Sequence, residues 1–263
     1  MATGLIGYTG LVGSTLLRQT SFDELYNSSN IGQIAGRKFD LLVCAGAPAE
    51  KWKANQEPQN DLQNLQNLMA SLSEVEARRL VLISTVDVYD RPVLVNEDTP
   101  IRPSNLQPYG KHRFLLEEFI RNRFASFNIV RLPGLFGAGL KKNFIFDLMN
   151  HRCLDLTHGL SRFQFYNLAH LWAHLQISMA NNLSTVNFAT EPVSAIEVAR
   201  RCFGLDFITR TQNEPARYDM RTRFAELFGR DGGYLLTARE TLEQIRLFAK
   251  SGIGAEQYEA VNV

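Results

Sequence analysis

The sequence has almost no net charge. Its 28 Lys and Arg against 27 Asp and Glu leave a formal charge of +1 at pH 7. No general field is therefore available to attract DNA, RNA or an anionic membrane, and neither is expected as a partner. Long apolar runs are also lacking: stretches such as "LVLIS" at 80–84 are far too short to span a bilayer. Cysteine is scarce. Cys44, Cys153 and Cys202 are odd in number, widely spaced and without a CxxC pair, which argues against a disulfide framework and for a reducing cytoplasm. His151, Cys153 and His158 lack a fourth ligand at zinc-like spacing, so no metal is expected. The opening "MATGLIGYTG" has no basic segment followed by an apolar one, so no secretory signal is expected. There is no internal repeat, low-complexity tract or long linker.

What remains is an ordinary globular chain of 263 residues, 45% hydrophobic and 21% charged, enough for one large α/β domain or one with a small attached lobe. Short apolar runs alternate with helical patterns, which predicts a doubly wound parallel sheet with helices on both faces. "TGLIGYTG" reads as a strand ending in glycines, "GSTLLRQT" as a helix, "FDELY" at 22–26 as a second strand and "KFDLLVCAGA" at 38–47 as a buried strand. "DLQNLQNLMASL" at 61–72 has helical spacing, and "RRLVLISTVDVY" at 78–89 is a further buried strand. "YGKHRFLLEEFIRNRF" reads as a long amphipathic helix and "FNIVRLPGLFG" as a strand and loop. "IEVARRCFG" and "ARETLEQIRLFAKSG" close the chain as helices, the second ending at Gly252. Residues 1–137 or so are expected to form mainly a dinucleotide-binding part, and 138–263 mainly a smaller, interleaved substrate-side lobe. The aromatic residues are most simply core packing.

Gly7, Gly10 and Gly13 are spaced GxxGxxG between a strand and a helix. Glycines there let the backbone turn tightly and approach a pyrophosphate, whose charge sits at the helix N-terminus. A bare strand–helix turn without ligand is the plain alternative. A carboxylate at the tip of the second strand commonly holds the ribose of NAD. Here that strand runs into Asn27, Ser28, Ser29 and Asn30. Neutral donors tolerate a 2′-phosphate better than an acid does, a slight lean to NADP over NAD, although the four residues would serve equally as a polar turn.

In order along the chain, the glycine triplet, "CAGAPA" at 44–49, Asn60 and Asn67 in "NDLQNLQNL", "STVDVYD" at 84–90 and "VNEDTPIRPSNLQPYG" resemble the extended short-chain dehydrogenase/reductase family, the NAD(P)-dependent epimerase/dehydratase group. "VRLPGLFGAG", "SRFQFYNLAHLWAHL", "TVNFATEPVSAIEVA" and "TARETLEQI" continue the resemblance over nearly the whole length. It implies a Rossmann-like fold and NADP or NAD as cofactor. The implied cofactor contacts run through the turn from Gly7 over Tyr8, Thr9 and Gly10 to Leu11, Val12 and Gly13. Further contacts would come from Asn27 and Ser28, from Ala45, Gly46 and Ala47 after the family's fourth strand, from Asn60 and Ser84, and from Leu132 and Pro133.

The resemblance also implies a catalytic set of hydroxyl, tyrosine and lysine. The tyrosine is the general acid/base, and a lysine one helical turn on lowers its pKa and holds the nicotinamide ribose. By position these are Thr85, Tyr109 and Arg113, the last standing where the family has lysine. Lys111 is two residues from Tyr109 and should point roughly 200° around the helix. A guanidinium keeps the charge but is planar and bulkier, which bears more on turnover than on cofactor binding. His112 is expected on the helix surface.

Family members that dehydrate nucleotide sugars carry an acid–base pair after the threonine; here those places hold Val86 and Asp87, which disfavours dehydration. Arg162 matches an arginine that grips a substrate diphosphate in many relatives, or else is a surface arginine, while Arg131 is expected to serve structure. Thr85, Asp87 and Arg162 are thus the expected substrate contacts. The implied function is an NAD(P)-dependent reductase or epimerase acting on a sugar or nucleotide-sugar carbonyl or alcohol; the alternative is a catalytically silent dinucleotide-binding sensor or scaffold. A homodimer through the tyrosine helix is compatible with Phe114, Leu115 and Phe119, which would serve equally as core.

Overall fold

The computed structural model describes residues 2–251. Strand β1 (Ala2–Ile6) runs into helix α1 (Leu11–Gln19), and β2 (Glu24–Tyr26) reaches β3 (Lys38–Cys44) through one short 3-10 turn. Helices α2 (Lys51–Gln56) and α3 (Pro58–Ser73) lead to β4 (Glu76–Thr85); β5 (Val93–Val95) precedes α4 (Pro108–Arg123). There follow β6 (Phe127–Leu132), β7 (Gly134–Phe136), α5 (Phe144–Met149), β8 (Arg162–Phe163) and β9 (Phe165–Asn167). The chain closes with α6 (Leu171–Ala180), β10 (Thr185–Asn187), β11 (Val193–Ser194), α7 (Ala195–Phe203), β12 (Asp219–Met220) and α8 (Ala238–Lys250). Gly252, the expected end of the last helix, lies outside the described residues. Among the described residues no helix is long and apolar enough to cross a membrane.

The second strand is shorter than "FDELY" suggests. Asp23 turns its carboxylate onto Thr3, accepting from the backbone N–H at 2.7 Å and the hydroxyl at 2.9 Å, and the strand starts only at Glu24.

Two compact units divide the chain. The first takes the residues up to Asp90, then Glu97–Leu132 and Leu171–Asn187. Its sheet has the order β10-β6-β4-β3-β1-β2, every neighbouring pair parallel, which is the expected doubly wound, Rossmann-like arrangement. From β1 the chain moves outward to β2, then returns to β3 on the other side of β1. Right-handed crossovers in opposite directions put α1 and α3 on opposite faces. The packing agrees: α3 lies against α4, and α1 against α6. Leu42, Leu65, Leu72, Leu80, Leu116, Ile120 and Ile129 are buried together where α3 and α4 cover the sheet. The order reverses between β1 and β3, and ligands of such sheets sit outside the carboxyl ends of the strands at that reversal.

Proline at the first position of both α3 and α4 supplies the fixed φ of a helix start and no unmatched N–H. In the second half of α4, Glu117 is fully buried and takes Arg131 of β6 in two hydrogen bonds, Nη2 to Oε2 at 2.6 Å and Nε to Oε1 at 3.0 Å. Arg131 also donates to the Tyr89 hydroxyl at 2.7 Å, so it serves structure, as its sequence context suggests.

The second unit comprises Arg91–Asn96, Pro133–His170 and the chain from Phe188 onward. It pairs β7 with β9 and β12 with β5 in parallel, and β11 with β8 antiparallel. Helices α7 and α8 pack together, each opened by a reciprocal capping box, Ser194 with Glu197 and Thr237 with Glu240. Phe144 packs against the rings of Phe163 and Phe207, so part of the aromatic content is core.

Removing one member of a buried ion pair leaves the other charge uncompensated. Glu117→Gln is therefore expected to lower the unfolding free energy by about 3–5 kcal/mol, read from denaturant titration.

Candidate active site

The site is built from the turn after β1, the small residues after β3, the end of β4 and the start of α4, all in the first unit. At the end of β1, Gly7 has φ +85 and donates its N–H to Tyr26 O at 2.7 Å. A Cβ on Gly7 would lie 2.3 Å from Ala45 O, and one on Gly13 would lie 2.1 Å from Gly7 O. Both glycines are thus required by the protein's own packing. Gly10 is different: its nearest neighbour would be Gly7 O at an ordinary 3.5 Å, and the residue is exposed. Nothing among the described residues demands glycine there, whereas a ligand lying on the turn would.

Gly10 caps α1 without a side-chain hydrogen bond, so the first-turn N–H groups meet no capping oxygen from it. That is the arrangement an anion takes up. Ala45, Gly46 and Ala47 keep the facing wall low. They follow the chain's third strand, not a fourth, because β2 joins β3 without an intervening strand. Beside the turn, Asn27 donates to the Tyr8 hydroxyl at 3.2 Å, Asn27 N–H donates to Asn30 Oδ1 at 2.7 Å, and Ser28 is exposed. No carboxylate stands in this turn. The cradle fits a dinucleotide pyrophosphate.

Tyr109 is the second residue of α4 and its N–H donates to Asn55 Oδ1 of α2 at 3.0 Å. A Cβ on Gly110 would lie 1.9 Å from Asp87 O, so glycine lets α4 press directly onto the turn that follows β4. This contact carries Tyr109 to Thr85, whose hydroxyl accepts the Asp87 N–H at 3.2 Å. The phenol is buried. Burial raises its pKa above the ordinary value, and Asp87 adds to this, while Arg113, a hydrogen bond with Thr85, and Lys51 work against it.

Arg113 does inherit the place one turn after Tyr109. Its guanidinium lies 4.0 Å from the Tyr109 ring centroid and is 3% exposed, whereas Lys111 is exposed. It is held firmly: Nη1 donates to Asp61 Oδ2 and to Tyr109 O, and Nη2 to Pro48 O. The same Asp61 oxygen is 2.7 Å from His112 Nδ1. His112 is therefore not on the helix surface as expected; α3 covers that flank of α4 and the ring is buried against Asp61. Likewise Asn60, expected at the cofactor, is exposed and donates to Glu57 Oε2 at 3.3 Å, and Asn67 is exposed too. The inward position on α3 is Asp61, one residue further on.

Ser84 directs its hydroxyl to Glu117 Oε1 at 2.6 Å, on the opposite side of β4 from Thr85, because successive strand residues alternate. Leu132 pairs in register with Thr85 at the end of the sheet, and Pro133 begins the second unit. Arg162 opens β8 of the second unit, is exposed, and donates to Pro192 O at 3.0 Å. Asp87 accepts from Lys51 Nζ at 2.6 Å. Lys51, Asn55, Asp61 and the role of His112 have no local signal in the sequence. The largely polar run "KWKANQEPQND" at 51–61 offers several candidates and no means of ranking them.

Asp61→Asn would strand the buried guanidinium and is expected to cost about 3–5 kcal/mol in denaturant unfolding, whereas Asn60→Ala should leave the midpoint unchanged.

No curated protein matches the sequence. Among solved structures, MoeE5 in complex with UDP-glucuronic acid and NAD superposes with a TM-score of 0.74 at 17% identity, over 96% of this chain and 100% of that one. A dTDP-4-dehydrorhamnose reductase from Bacillus anthracis str. Ames in complex with NADP gives 0.72 at 16% identity, over 95% and 97% of the two chains. A UDP-galactose 4-epimerase gives 0.70 at 17%, over 98% and 100%. These identities speak for the fold. The sequence model of the NAD dependent epimerase/dehydratase family matches residues 5–155, more than half of the chain. The chain belongs to the NAD dependent epimerase/dehydratase family.

Proposed function

We propose that this protein is an NAD(P)-dependent oxidoreductase or epimerase acting on a carbonyl or alcohol of a nucleotide-linked sugar. The observation that carries the reading is the buried Tyr109 phenol, bonded to Thr85 and stacked on the Arg113 guanidinium, in the same unit as an uncapped glycine turn. When bound, the nicotinamide supplies a hydride donor or acceptor. In reduction, Tyr109 gives its hydroxyl proton to the carbonyl oxygen, and the Thr85 hydroxyl holds that oxygen; in oxidation both roles reverse. Arg113 stands in for lysine as the cation beside the phenol. The turn from Gly7 through Tyr8, Thr9 and Gly10 to Leu11, Val12 and Gly13 would hold the pyrophosphate. Asn27 and Ser28, with no acid beside them, favour NADP over NAD.

The substrate class is supported by the nucleotide sugars named with the structural neighbours and by the family. Arg162 and the second unit would serve the substrate side, and Asp87 the sugar. A cytoplasmic location goes with this reading, supported by free cysteines at 44, 153 and 202. A homodimer through α4 goes with it as well: Leu115 is exposed there, although Phe119 packs against the core.

One observation favours the second reading, a silent dinucleotide-binding protein. Arg113 is anchored to Asp61 and Pro48 O, so it has little freedom to pivot between phenol and ribose.

Titration with NADPH and NADH should change their fluorescence, and Gly10→Val should abolish the change while preserving stability; no binding at millimolar concentrations overturns both readings. The two are then separated by turnover on UDP-galactose, UDP-glucuronic acid and dTDP-4-dehydrorhamnose. Tyr109→Phe should retain cofactor affinity and lose about 100-fold or more in kcat, and Arg113→Lys should keep or raise it. Because burial holds the phenol protonated, kcat/KM for carbonyl reduction should stay level through neutral pH and decline only above about pH 10, as the donor proton is lost.

A further inference from the structure

Four elements meet at the Tyr109 phenol, and each brings charged or titratable groups. From α4 come Arg113 and, behind it, His112; from α3 comes Asp61, paired to both. From the turn after β4 comes Asp87, whose carboxylate also approaches the Thr85 hydroxyl at 3.5 Å. From α2 comes Lys51. Arg113 favours the ionised phenol, but burial outweighs it, and its guanidinium is itself paired with the carboxylate of Asp61. Asp87 is then a second carboxylate in the same neighbourhood, and the nicotinamide-side chemistry requires a phenolate in one direction. An unbalanced anion beside it opposes that state.

We propose that Lys51 is a positioning residue of the active site: held by Asp87 at the start of α2, it cancels that carboxylate's field at Tyr109 and lets the phenol carry negative charge. The geometry assembles this without Lys51 touching the reacting oxygen. Lys51 Nζ sits 2.6 Å from Asp87 Oδ1. Asn55, one turn along the same short helix, accepts the Tyr109 N–H at 3.0 Å and ties α2 to the start of α4. The backbone of Asp87 is pressed against Gly110, which fixes the point from which its side chain starts. Arg113 acts on the phenol separately, its two terminal nitrogens engaged by Asp61, Tyr109 O and Pro48 O, and among the described residues it makes no ion pair with Asp87. Lys51, with 45% of its side chain exposed, keeps the freedom of a flexible stem. The assignment deepens the proposed function, resting on Tyr109 as its acid/base.

The test reads the phenol directly and needs neither cofactor nor substrate. In the full chain, Tyr109 is replaced by 3,5-difluorotyrosine, whose phenol ionises at lower pH, and its titration is followed by fluorine NMR. Lys51→Met should move the titration to higher pH, because the positive charge beside Asp87 and Tyr109 is lost, and Lys51→Arg should leave it in place. Lys51→Met combined with Asp87→Asn should bring it back towards the starting position. An unmoved titration in Lys51→Met, or a double variant displaced as far as the single one, overturns the proposal. Matching circular dichroism spectra confirm that the variants fold, and Lys51→Gln serves as the second neutral variant. Failure of cofactor binding or of turnover would strike the proposed function and leave this result standing.

Discussion

A cation that lies against a buried phenol must itself be taken out of water, and in this protein that constraint organises the site. Arg113 and Asp61 are 3% and 5% exposed, and neither could be buried alone, since an unpaired charge in a protein interior costs several kcal/mol. Each therefore requires the other, and together they require α3 and α4 to pack so that positions 61 and 113 face each other. The guanidinium adds what an ammonium would not. Its planar fork reaches Asp61 and Pro48 O at once while its face stacks on the Tyr109 ring. The result is a cation fixed in one orientation.

A fixed cation changes the electrostatics around it. Arg113 lowers the phenol's pKa, yet burial outweighs it, and Tyr109 stays protonated well beyond neutrality in the free protein. A protonated phenol held by Thr85 is prepared to give a proton to a carbonyl. Proton removal is a different demand, and it falls on whatever further positive charge reaches the oxygen. The Lys51–Asp87 pair lies where that balance is decided. The arginine at position 113 thus works together with a carboxylate on α3, and the phenol beside it also lies near an ammonium on α2.

The glycine turn separates two kinds of requirement. Gly7 and Gly13 meet backbone at 2.3 and 2.1 Å and are imposed by the fold. Gly10 has open space, and its lack of a side chain has meaning only for something approaching from outside. Gly110 belongs with the first kind, since its contact with Asp87 O brings the phenol to the end of β4.

Alternation of apolar runs with helical periodicity was enough to read the parallel sheet, the glycine turn at the end of β1, the four-residue step from Tyr109 to Arg113 and the outward direction of Lys111. Each depends on neighbours in sequence, where a period of 2 or 3.6 determines which side chains share a face. The partners of Arg113 were not legible in that way. Asn60 looked like the site asparagine and His112 like a surface residue, and nothing singled out Lys51. Whether 60 or 61 points inward depends on how α3 rotates against α4, and whether Lys51 meets Asp87 depends on where α2 comes to rest. Those are contacts between residues 36 to 52 positions apart. The family resemblance assigned the expected catalytic types to their positions and local periodicity placed those positions on their elements; the packing of one helix on another chose the counter-charges, because a buried charge is paired by proximity in space and leaves no mark on its neighbours in the chain.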